Sequence, residues 1–100
     1  MNEIETVKKW FKKADNDLNV ARRIFKDQNE DELDIVCFHC QQAAEKVLKG
    51  YLIFCNTEPP RTHNLAKLCQ LAMEFDNSFS KLLDASADLT PYAVEVRYPD

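Results

Sequence analysis

The sequence predicts an all-α fold, an up-and-down four-helix bundle. Three observations carry this. Apolar residues recur at helical spacing through long proline-free stretches. The 100 residues hold one glycine and four prolines, too few turn formers for a sandwich or barrel. Residues 33–55 are rich in Ala, Leu, Gln, Glu, Lys and aromatics and hold no proline. The length suits one domain over 1–100, which buries roughly two-thirds of the surface its unfolded chain exposes.

The first helix is expected over residues 4–25. Ile4, Val7, Phe11, Ala14, Leu18, Ala21 and Phe25 step alternately by three and four, one stripe of a helix in a bundle. Asn29 to Glu32 then breaks the pattern, and its acids favour the N-terminus of a second helix. That helix is expected from Leu33 to Cys55, before Pro59 and Pro60. A third is expected to begin near Thr62, a plausible N-cap, and to end between Phe75 and Asn77. Ser78 is the expected cap of a fourth, carrying Leu82, Ser86, Leu89, Ala93 and Val96. Pro91 should kink that helix, or break it with Thr90 opening a new short one.

Helix two carries Cys37-Phe38-His39-Cys40. On a wheel of about 100° per residue, Cys37, Cys40, Ala44, Val47, Leu48, Tyr51 and Cys55 share one side, expected to be the buried one. His39 points elsewhere. The thiols lack the tight knuckle of a structural zinc site and the helix N-terminus of a redox pair. They are expected to act as small buried hydrophobes, with no metal and no cofactor. On another side of the same helix, His39, Gln42, Lys46 and Lys49 step by three, four and three. This stripe could hold phosphate or a partner's acidic edge, form a subunit interface beside Ile35, Phe38 and Ile53, or serve as a solvated or interhelical polar face.

The net charge is −4, which speaks against a protein that coats nucleic acid at large. Residues 1–28 nevertheless hold seven Lys/Arg against five Asp/Glu, and residues 30–34 hold four acids. A local basic surface inside an acidic whole remains open, with a solvated helix face as the plainer reading. The chain begins with no apolar signal core and carries no apolar run long enough to span a bilayer. A cytoplasmic location without membrane contact is the expectation.

Residues 37–52, Cys-Phe-His-Cys-Gln-Gln-Ala-Ala-Glu-Lys-Val-Leu-Lys-Gly-Tyr-Leu, resemble the second helix of the HEPN family, whose pattern is F-H-x-Q-Q-A-x-E-K-x-L-K-A-x-L. A proline turn and Thr62-His63-Asn64-Leu65 follow, as in that family. Trp10, Ala14, Asp17, Leu18 and Ala21 match its first helix, and Tyr92 through Arg97-Tyr98-Pro99 resembles its Tyr-x-x-x-Arg-Tyr-Pro ending, with one more residue between Tyr and Arg. The resemblance covers about residues 7–100. It implies a HEPN-like bundle, a homodimer, and a minimal nucleotidyltransferase as partner in a toxin–antitoxin-like pair. The family's final helix is missing from this expectation, because the sequence stops at Asp100, and an uncovered apolar face would favour pairing with another chain.

Many HEPN domains are metal-independent ribonucleases that use an Arg and a His four to six residues apart. Arg97 is the matching arginine, but no histidine follows it; Arg61 and His63 have the right types at the wrong spacing. The resemblance therefore favours a nucleotide- or RNA-associated binding module. A metal-independent ribonuclease using Arg97 with His63 or His39, and a non-catalytic dimerisation domain, are the alternatives. His63 is expected in the first turn of helix three, where the dipole disfavours its charged form. It serves as a base there, or bonds a neighbouring helix. Arg61 on its stiff loop binds phosphate or is merely exposed. Tyr92 and Tyr98 stack on a base or fill a core or interface.

Overall fold

The computed structural model describes residues 3–93. Four α-helices form the frame: α1 (Glu3–Lys26), α2 (Leu33–Phe54), α3 (Leu65–Met73) and α4 (Leu83–Leu89). Short stretches of 3-10 helix occupy Glu30–Glu32, Asn77–Leu82 and Thr90–Ala93, and no strand occurs among the described residues. The all-α expectation holds, and both long helices lie within two residues of their expected bounds.

α1 and α2 form an antiparallel hairpin. Glu3 and Glu5 in the first turn of α1, and Arg23 and Lys26 in its last, complement the helix dipole. Val7, Ala14 and Ala21 are the buried residues of its stripe, while Ile4, Phe11 and Phe25 stay exposed. The connection turns at Gln28, which takes φ 52°. Asn29 then caps the following 3-10 turn by accepting from the Asp31 amide at 3.0 Å. α2 ends in a Schellman motif. Asn56 takes φ 58°, its amide reaches the Ile53 carbonyl at 2.9 Å, and the Thr57 amide reaches the Leu52 carbonyl at 2.9 Å.

Gly50 lies where the hairpin helices touch. A Cβ added there would sit 2.9 Å from Phe11 Cε1 and 3.0 Å from Trp10 Cβ. The exposed Phe11 ring can swing aside, but Trp10 Cβ moves only with the α1 backbone. Gly50→Val is therefore expected to cost about 2 kcal/mol by overpacking, despite the better helix propensity of valine over glycine. Urea midpoints of variant and parent check this; equal midpoints would mean that α1 can shift outward freely.

α3 and α4 cover a second side of α2. The core is Leu48, Leu52, Leu65, Leu68, Cys69 and Ala72, flanked by Ala44, Tyr51, Leu71, Met73, Phe79, Leu83 and Leu89. Two expected caps are replaced. Asn64, not Thr62, caps α3, its Oδ1 accepting from the Lys67 amide at 3.1 Å. Thr62 instead accepts from the Asn64 amide at 3.1 Å, one turn early. Asp76, not Ser78, caps the next turn by accepting from the Ser78 amide at 2.9 Å. Hydrogen bonds from the Ser78 side chain and, secondly, from its amide hold the Asp76 carboxyl below its usual range. The fourth helix is shorter than expected, since residues 77–82 take the tighter 3-10 form. It breaks at Thr90-Pro91, one of the two outcomes foreseen. The Thr90 hydroxyl donates to the Ser86 carbonyl at 2.8 Å and accepts the Leu65 amide at 3.0 Å, so it ties α4 to the start of α3.

The expected buried side of α2 needs the largest correction. Gln41, Ala43, Glu45, Leu48, Gly50 and Leu52 are buried, whereas Cys37, Cys40, Ala44, Tyr51 and Cys55 are half-buried and Val47 is exposed. Two sides of α2 are gripped, by α1 and by α3. Part of the cysteine-bearing stripe, Cys40, Ala44 and Val47, lies between them on the floor of an open groove.

Candidate partner and nucleotide interface

That groove has a volume of about 290 Å³. Leu18 of α1 forms one wall, Cys40, Ala44 and Val47 the floor, and Phe79, Leu82, Ala85 and Leu89 the other wall. Nearly every lining group is apolar. Leu82 is 51% exposed, and Phe54, further along the same side of α2, is 57% exposed. The four cysteines are free thiols: Cys69 is buried, as expected for a core thiol, and the other three are only half-buried. Burial, with Cys37 adding to it, pushes the Cys40 thiol up, so it is the protonated, unreactive form that lines the groove. No group of three or more His, Cys, Asp or Glu able to hold a metal occurs among the described residues.

The polar stripe of α2 resolves into two networks. In the first, Asp17 of α1 accepts from His39 Nδ1 at 3.0 Å and from Lys46 Nζ. A carboxylate can only accept, so His39 carries its hydrogen on Nδ1. In the second, Glu45 Oε1 accepts from His63 Nδ1 at 2.8 Å and Gln41 Nε2 at 3.1 Å, and Oε2 accepts from Lys49 Nζ at 2.9 Å. Gln41 Nε2 also reaches the His63 carbonyl at 3.2 Å, and Gln42 Nε2 donates to Gln41 Oε1 at 2.7 Å. No buried side-chain nitrogen or oxygen among the described residues lacks a partner.

Burial alone would raise the Glu45 carboxyl. Hydrogen bonds from His63, Lys49 and Gln41, with the Lys49 charge, outweigh it and hold the group below the usual carboxylate range. The ionised Glu45 fixes the His63 hydrogen on Nδ1. In the neutral ring Nε2 then carries the lone pair, on a side chain 61% exposed. His63 does not lie in the first turn of α3 as expected, since Asn64 is the cap; the dipole argument for it lapses. Gln41 and Glu45 hold the residue in the loop ahead of the helix.

The second network brings together Gln42, Lys49 and His63 of the expected site. His39 and Lys46 belong to the first network, on the α1 side. Arg61 is exposed two residues before His63, and Tyr92 is half-buried in the last 3-10 turn. Arg97 and Tyr98 lie outside the described residues. Sequence reading missed Gln41 and Glu45. Their signal is the series Gln41, Glu45, Leu48 and Leu52, stepping four, three and four, a stripe whose polar half is as buried as its apolar half.

A long helical hairpin, a polar tie from its second helix to the next loop and an apolar groove left open beside it define a small helical-bundle domain. The chain belongs to the HEPN domain family, whose model matches residues 7–100. No curated protein and no solved structure matches it.

Proposed function

We propose that the chain is a HEPN binding module that pairs with a second protein through the open groove and contacts nucleotide or RNA at the Arg61–His63 loop. The observation that carries the pairing is the groove itself, with apolar side chains from α1, α2 and the 77–89 segment around one cleft. An exposed apolar cleft of this kind is costly in water and is relieved by a partner. The partner is a second copy, forming a homodimer, and, by family analogy, a minimal nucleotidyltransferase in a toxin–antitoxin-like pair in the cytoplasm. No helix among the described residues is long and apolar enough to cross a membrane.

Light scattering of the full chain, alone and with such a transferase, tests this. The expected result is a mass above the monomer that returns to the monomer in Val47→Glu/Leu82→Glu. A parent that stays monomeric and captures no transferase at micromolar concentration overturns the pairing.

The Glu45–His63 pair favours a second reading, a metal-independent ribonuclease. With Nδ1 held by Glu45, Nε2 is placed to take a 2′-hydroxyl proton, while a guanidinium, Arg97 by the family pattern, stabilises the phosphate. The same preparation should then cleave RNA in chelator, and His63→Ala and Arg97→Ala should abolish cleavage. Cleavage that survives in both belongs to a contaminant.

A further inference from the structure

One face of α1 has no structural task. Val7, Ala14 and Ala21 turn onto α2. The opposite side presents Lys9, Lys12, Lys13, Asn16, Asn19, Arg23 and Lys26, all exposed. The charge is segregated: α1 holds seven Lys/Arg and four Asp/Glu, while the rest of the chain holds six and thirteen. Of the α1 acids, Asp17 points inward to His39 and Lys46, and Glu5 pairs with Lys8 at 4.0 Å. Lys9, Lys12, Lys13, Arg23 and Lys26 form no ion pair among the described residues.

Two hollows run along this face. One, of about 460 Å³, is lined by Lys9, Trp10, Lys12, Lys13 and Asn16. The other, of about 570 Å³, continues from Asn16 past Val20 to Arg23 and Lys26. Asn16 lines both. From Lys9 to Lys26 the helix rises about 25 Å. Cations spread along such a length suit an anion whose charges repeat along a line, and suit a single small anion poorly.

We propose that the outer face of α1 binds a single-stranded nucleic acid, its phosphates on Lys9, Lys12, Lys13, Arg23 and Lys26 and a base on Trp10. Two features select this occupant. A membrane-surface helix needs an apolar face to insert, and the exposed apolar residues of α1, Ile4, Phe11 and Phe25, belong to the stripe that meets α2 and not to the face that carries these cations. An acidic protein segment would need no aromatic surface, whereas the half-buried Trp10 ring beside three lysines offers the platform on which bases stack. The proposal deepens the nucleotide and RNA part of the reading above by naming a second contact surface, remote from His63.

Trp10 is the only tryptophan in the chain, so its fluorescence reports on this end of α1, and the lysine variant below separates the outer face from the Gly50 contact and the 56–59 loop. The full chain is titrated with a labelled 12-nucleotide single-stranded RNA in chelator, following Trp10 emission and RNA anisotropy together. The expected result is quenching with a Kd that weakens steeply with salt. Five phosphate contacts predict a loss of about 130-fold for a fourfold rise in salt. Lys9→Glu/Lys12→Glu/Lys13→Glu should keep its thermal melt, because all three residues are exposed, and lose more than tenfold in affinity. RNA binding that ignores this triple variant and falls in Arg61→Ala/His63→Ala overturns the proposal and keeps the earlier reading. Absence of RNA binding by the parent removes both. Quenching by anionic phosphatidylserine vesicles and not by RNA overturns the choice of occupant.

Discussion

Leu68→Ala is expected to lower the free energy of unfolding by about 3 kcal/mol, within the range for leucines deleted from full burial. Leu68 is fully buried in the core that joins α2 to α3. Its neighbours are large or fixed: Leu52 and Leu65 are equally buried, and Cys69 and Ala72 share its helix. The site can collapse only by moving α3. That helix has nine residues, too few to persist on propensity alone, so its order comes from this packing. The loss should therefore be local as well as global. Amide exchange in α3, and in residues 57–64 ahead of it, should accelerate more than exchange in the α1–α2 hairpin. Urea denaturation supplies the first number and hydrogen exchange the second. A uniform acceleration would mean that α3 and the hairpin unfold as one unit.

Glu45→Ala is expected to cost a similar amount, about 3 kcal/mol, for a different reason. Glu45 and Lys49 side chains are 10% and 12% exposed, so truncation leaves an ammonium and the Gln41 amide facing an apolar gap. His63 contributes little to this cost, because it is largely exposed and water can replace its bond. The pH dependence has a definite sign. The folded carboxyl titrates below its ordinary value of 4.5, so the unfolded chain takes up the proton first as pH falls. The stabilisation is complete above about pH 4.5 and disappears as pH drops through the folded value. Denaturation at pH 7 and again near pH 3 should show the gap between parent and Glu45→Ala shrinking in acid. A gap that stays constant would assign the loss to packing and not to charge.

Periodicity makes the hairpin legible in the sequence, because α1 and α2 are long enough for their stripes to be read several times over. The shorter elements were harder. The start of α3 depends on Gln41 and Glu45 holding His63 out of the helix, a tertiary tie that local propensity does not encode. Asp76 displaced Ser78 as cap because an aspartate two residues earlier reaches the same amide.

The site was half legible. His39, Gln42, Lys46, Lys49 and His63 stood out by type and spacing, and the family resemblance placed them in order. Their partners Asp17, Gln41 and Glu45 lie within the same matched motifs but did not stand out as site residues, because a wheel drawn for one helix assumes one buried side, and α2 has two. The same assumption sent Cys40, Ala44 and Val47 to the core when they line a groove.

The placement of glycine in this hairpin inverts the usual division between turns and helices. The two left-handed positions that end α1 and α2 hold Gln28 and Asn56, although glycine adopts that backbone without a steric cost. The chain's one glycine sits mid-helix, where it sacrifices about 1 kcal/mol of propensity against alanine. Drift in the sequence therefore meets opposite constraints at these sites. Positions 28 and 56 can move toward glycine with the local geometry unchanged, whereas position 50 can gain a side chain only by prising the helices apart. The spacing of the hairpin is set at one point in its interior, and its ends are free to vary.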